Sequence, residues 1–158
     1  MIGLARRLLL LAALLVPAAA LPAPEVVVTD AGDRIARAGT DKSFDDVVME
    51  LEFAISERNY RITGRNSIGK GLRDRGYEGF PDVEVIHFCN LENAREVLLL
   101  DPDFVALMPC RITVHVADHR TIVSAILLPE THKDPRVVAF AKRLNGEIRD
   151  ILEYVVGK

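Results

Sequence analysis

The chain has 158 residues, two cysteines, four histidines, no tryptophan and a formal charge of −3. A mildly acidic chain with few aromatic residues is a poor nucleic-acid binder and offers no stacking platform for bases or sugars. Its length suits one domain with a core of its own, and no internal repeat points to a solenoid.

The N-terminus has the layout of a secretory signal. Arg6 and Arg7 supply the positive end, Leu8 to Val16 an unbroken apolar stretch, and Ala18-Ala19-Ala20 a small-residue cleavage site. Residues 1–20 are read as that signal, extending to 23 if Leu21-Pro22-Ala23 is cleaved instead. The apolar run ending at Leu21 is about 14 residues, short of the roughly 20 that span a bilayer as a helix. A cleaved signal is therefore expected, with no stable membrane span afterwards and a periplasmic or secreted product. Arg6-Arg7 lacks the flanking residues of the twin-arginine route. Cleavage removes two arginines, so the formal charge of −3 becomes −5 over the remaining residues.

Glu25 to Val28 is a short β-branched run read as a first strand, and Asp30 to Thr40 is a polar, glycine-containing linker. Residues 21–42 thus form an N-terminal strand and linker, and 43–158 a single α/β domain. Ser43 caps a helix, with Asp46 completing a capping-box variant, and Phe44, Val47, Val48, Leu51, Ala54 and Ile55 recur at helical spacing. Tyr60 to Thr63 reads as a strand. Gly64 to Tyr77 is rich in glycine and arginine, holds at most a short helix, and reads as solvated surface.

Val83 to Phe88 is a mostly apolar strand that ends at Cys89. Asn90 caps a short helix from Leu91 to Leu100, which Asp101-Pro102 stops. Arg111 to Val116, a turn at Ala117 to Arg120, and Thr121 to Leu128 have the spacing of a hairpin. Asp134-Pro135 opens a last helix whose buried stripe is Val138, Ala141, Leu144, Ile148, Ile151, Leu152 and Val155. The order β-α-β-β-(α)-β-β-α implies an α+β, two-layer sandwich. Its sheet is mainly antiparallel, of about five strands, with helices packed on one face.

Cys89 and Cys110 are the place to look for chemistry. In an oxidising compartment the simplest reading of two cysteines is a disulfide, here closing a loop of about 20 residues and stabilising by roughly 3 kcal/mol. Cys89 also precedes a helix start, where amides and dipole favour a thiolate, a better nucleophile or metal ligand. His87 stands two residues before Cys89 and Met108 two before Cys110. In extended chain, residues at that spacing face the same way, so an imidazole, a thioether and two thiols could converge. Such a set selects copper(I) or another thiophilic metal. Three readings stay open: a binding or redox module holding a thiophilic metal or sulfur-containing ligand, a thiol enzyme (a disulfide oxidoreductase or a sulfur carrier) with Cys89 attacking and Cys110 resolving, and a structural disulfide on a dimeric interaction domain. His115, His119 and His132 are scattered and read as surface.

The run Cys89-Asn90, then Asp101-Pro102, then Pro109-Cys110-Arg111-Ile112-Thr113-Val114 resembles the domain of unknown function 302 family. The opening Ser43-Phe44-Asp45-Asp46 and the long final helix are similar to it as well, so the likeness covers residues 43–156. It implies a compact antiparallel sheet with two flanking helices and Cys89 beside Cys110, and it implies no reaction. His87 departs from the small residue common in that family and Met108 from leucine.

Overall fold

The computed structural model describes residues 27–29 and 34–157; the stretch read as a signal peptide, with its expected cleavage site, lies outside them. In chain order the elements are β1 (Val27–Thr29), β2 (Ile35–Thr40), α1 (Phe44–Glu57), β3 (Arg61–Ser67), α2 (Ile68–Arg73), β4 (Val83–Cys89), α3 (Leu91–Leu100), a 3₁₀ turn (Pro102–Leu107), β5 (Cys110–Ala117), β6 (Arg120–Ile126) and α4 (Pro135–Val156). The six strands form one sheet in the order β1-β2-β6-β5-β4-β3, every pair antiparallel. The α+β architecture is as expected, with one strand more. That strand is β2, which occupies part of the stretch read as a linker. Its buried side chains are Ala36, Ala38 and Thr40, too small to announce a strand, and pairing with β6 makes it one.

The local rules explain the other elements. Ser43 Oγ accepts from Asp46 N at 3.2 Å, starting α1, and Asp134 Oδ1 accepts from Arg136 N at 2.8 Å, starting α4. Asp118 and His119 both have positive φ, 50° and 60°, so a two-residue turn joins β5 to β6 with a twist that suits the hairpin. Gly157, at φ 89°, ends α4 in the left-handed cap that glycine adopts without strain. In the first turn of α4 the buried residues are Val137 and Phe140 rather than Val138, because the helix meets the sheet slightly rotated from its simple apolar stripe.

Glu84, Ile86 and Phe88 of β4 and Ile112 and Val114 of β5 point to the side covered by α1 and α4, where Leu51, Ile55, Ile148 and Leu152 close the core. Full burial of each such side chain contributes about 2 kcal/mol. The alternate residues Val83, Val85, His87 and Cys89 lie on the opposite, half-exposed face. Arg65 is no free surface charge. Its guanidinium pairs with the buried Glu84 carboxylate and with Glu52, tying β3 to β4 and α1. No helix among the described residues is long and apolar enough to cross a membrane.

Candidate functional site

The ends of β4 and β5 meet beneath α3 and α4. Asn90 fixes this corner: its Oδ1 accepts from Glu92 N at 2.9 Å and Asn93 N at 3.0 Å, while its Nδ2 donates to Asn59 O at 2.9 Å. The start of α3, the end of β4 and the turn before β3 are thereby held by one side chain.

In the β4–β5 ladder the residue opposite Cys110 is Phe88, and the residue opposite Cys89 on the other side is Arg61. The cysteines are one register step apart on neighbouring strands. Successive residues of a pleated strand point to opposite faces, so Cys110 follows Phe88 to the helix-covered side and Cys89 follows His87 to the open one. Both thiols are free. The disulfide expected as the simplest reading is not present, and the pleat is the reason: the two side chains do not oppose one another.

The pKa expected for Cys89 is also corrected. Burial pushes the Cys89 thiol up rather than down. The α3 amides that could have stabilised a thiolate, those of Glu92 and Asn93, are already taken by Asn90. Cys110 is pushed up to about 11, by burial first and then by the negative charges of Cys89 and Glu147. Thiols held protonated at neutral pH are poor nucleophiles.

Cys89 and Cys110 nevertheless border the same small cavity, and Met108 joins them. Its volume is about 20 Å³, room for one water-sized group. His87 does not line it. That imidazole lies over Gly64, with Nε2 3.3 Å from Asn66 Nδ2. Three of the four residues singled out as soft ligands therefore share one cavity and the fourth faces elsewhere. Among the described residues no group of three or more His, Cys, Asp and Glu could hold a metal ion.

A polar network that sequence reasoning missed closes the cavity. Tyr60 Oη donates to the Glu147 carboxylate and accepts from Asn93 Nδ2 at 3.1 Å. Arg143 donates to Asn93 Oδ1 at 3.2 Å, to Glu96 at 2.7 Å and to Glu147 at 3.4 Å, its guanidinium 5.2 Å from the Phe140 ring centre. Tyr60 also stands edge-on to Phe88 at 5.3 Å. Burial, followed by the hydrogen bond and charge of Glu147, holds the Tyr60 phenol well above its ordinary pKa. The one sequence signal was the Arg143–Glu147 spacing on α4, which marks a neighbouring pair on a helix.

A second, larger groove of about 220 Å³ lies on the far side of Met108 and Cys110. Leu107, Met108, Cys110 and Leu128 separate it from the small cavity. Arg34 and Arg111 contribute the charged part of its wall.

Residues 36–155 match the model of a family described as domain of unknown function DUF302. A crystal structure of an uncharacterized conserved DUF302 protein from Bacillus stearothermophilus superposes with a TM-score of 0.70 at 15% identity, covering 77% of this chain and 98% of that one. At that identity the likeness shows the fold. None of the curated proteins matches the chain by sequence.

Proposed function

For a chain that belongs to the DUF302 family, which carries a fold and no assigned reaction, we propose an exported, non-enzymatic binding module that holds a thiophilic metal ion, copper(I) first. Its ligands on this reading are Cys110 and Met108, on the helix-covered side, and Cys89, whose thiol must turn from the open face at the end of β4 to join them. The observation that carries it is that these three sulfur-bearing residues border one cavity while both thiols are unbonded. A cluster of sulfur donors in a cavity with no carboxylate among its described lining residues favours soft cations over magnesium or calcium. The raised thiol pKa values weigh against the disulfide oxidoreductase alternative, which needs an attacking thiolate. His87 is left out of the ligand set because its ring is engaged with Asn66.

The deciding experiment is to purify the protein from its native compartment without chelator, count free thiols after denaturation, and measure bound metals on the same sample. Two free thiols with near-stoichiometric copper are expected. Cys110→Ser and Met108→Leu should release the metal and His87→Ala should retain it. A disulfide in the purified protein, or two free thiols that take up no copper(I) in competition with a chelator, overturns the reading. Intact mass tests export separately: the mature chain should start at Leu21, or at Pro24 if the second site is used.

A further inference from the structure

We infer that the groove beside Arg34 and Arg111 is a binding site for a short aliphatic carboxylate. The groove holds about 220 Å³, the size of a small organic molecule, and lies at the end of the sheet where β5 begins and β6 ends. Much of its wall is aliphatic: Leu107, Met108, Pro109, Ile126, Leu127 and Leu128. Among the described residues its only charged side chains are the guanidinium groups of Arg34 and Arg111, and none that lines it is an aspartate or glutamate. On a chain of formal charge −3, a concave surface whose described lining residues include two cations and no acid is a segregated charge distribution.

Neither cation is paired with a carboxylate among the described residues. Arg34 Nη1 makes one long bond, 3.4 Å to the Leu127 carbonyl, which anchors the guanidinium at the groove and leaves its other N–H donors available. Arg111 has neither a carboxylate partner nor a side-chain hydrogen bond among the described residues. The larger groove between α3 and α4 makes the contrast. Of the three arginines on its wall, Arg95, Arg136 and Arg143, the last two are already paired, with Asp134 and with Glu96 and Glu147 respectively, and Glu92 and Glu96 line it too. A guanidinium fork matches a carboxylate in geometry as well as charge, and the aliphatic wall gives the rest of the ligand a place to leave water. An anion with an apolar body fits both halves of this surface. A bare anion would leave the aliphatic wall unused, and a neutral amphiphile would leave the arginines unpaired.

The test uses the reduced, metal-free protein, so it is independent of the metal reading. Hexanoate is titrated against the ¹⁵N-labelled chain, with hexanamide as the uncharged body and inorganic phosphate as the charge without the body. Saturable shifts are expected at the amides of Leu107 to Arg111, Pro109 excepted, and of Ile126 to Leu128, with hexanamide and phosphate binding at least about tenfold more weakly. Arg111→Gln and Arg34→Gln should each weaken hexanoate about fivefold and together about 25-fold. Arg111 is exposed and its replacement leaves the core intact, so that variant decides the matter should Arg34→Gln perturb the fold. Equal binding of hexanamide, equal or tighter binding of phosphate, unchanged affinity in Arg111→Gln, or no saturable shift with hexanoate would each overturn the assignment.

Discussion

Tyr60 and Glu147, 87 residues apart in the chain, share a hydrogen bond in which the phenol donates to the carboxylate midway along α4. Tyr60 is 5% exposed, so its hydroxyl has little water to fall back on. Tyr60→Phe leaves Glu147 and Asn93 short of a partner and should lower unfolding stability by about 1–2 kcal/mol. Glu147→Gln, whose amide oxygen still accepts, should cost less. Urea denaturation of the two variants gives the comparison, and an equal loss in both would mean that the bond is not what matters there.

Asn145 is a buried amide on α4 that completes the end of the sheet. Its Oδ1 accepts from Leu128 N at 2.8 Å and its Nδ2 donates to Leu128 O at 3.0 Å, so the side chain pairs with that backbone as a strand would, and a further bond reaches Glu130 at 2.9 Å. Asn145→Leu removes every one of these and strands a buried N–H and C=O. A loss of about 2–4 kcal/mol is expected in chemical denaturation, with faster hydrogen exchange at Leu128.

His115 lies on β5 between Val83 and Ile122, and burial followed by the positive charge of Arg37 lowers its pKa. The folded state thus binds fewer protons at this ring than the unfolded state does. The resulting stability is present above the ordinary imidazole pKa of about 6.5 and is lost as pH falls below it. Between pH 7.5 and 5 the parent chain should lose more stability than His115→Gln. Parallel pH profiles for the two proteins would refute the assignment.

Gly69 in α2 lies hard against the strand entering β4. A Cβ there would sit 2.5 Å from the Pro81 carbonyl oxygen and 2.7 Å from Val83 N, both backbone atoms that cannot swing aside. Gly69→Ala should destabilise by about 1–3 kcal/mol although alanine is the better helix former. Gly71→Ala, which meets only the flexible end of Arg75, serves as the control and should be neutral or slightly stabilising.

The helices and the last hairpin were legible in the sequence because their signals are local: caps at Ser43, Asn90 and Asp134, apolar residues at helical spacing, and a short polar turn. β2 was not legible, since Ala36, Ala38 and Gly39 have almost nothing to pack and become a strand only against β6. The corner that holds the cysteines was legible in outline. Which face each cysteine takes was not, because that depends on whether Phe88 or Cys89 stands opposite Cys110, a one-residue matter of register. Tyr60 and Glu147 were out of reach for a related reason: their meeting is a product of how α4 lies across the sheet. His115 and His132, read as surface from their scatter, are half-buried, and His132 Nε2 comes within 3.4 Å of Asp101 Oδ2.

The pairing of β2 with β6, Ile35 opposite Ile126 through Thr40 opposite Thr121, also sets the order in which this molecule can be assembled. A growing chain must be about 126 residues long before β2 has its full partner, so the second strand waits for the last one. The β5–β6 hairpin, joined by a two-residue turn, closes cheaply, whereas the β2–β6 contact encloses most of the domain and carries the larger entropic cost. Until then β2 has only the short β1 to pair with, and its docking converts β6 from an outer strand of the sheet into an inner one.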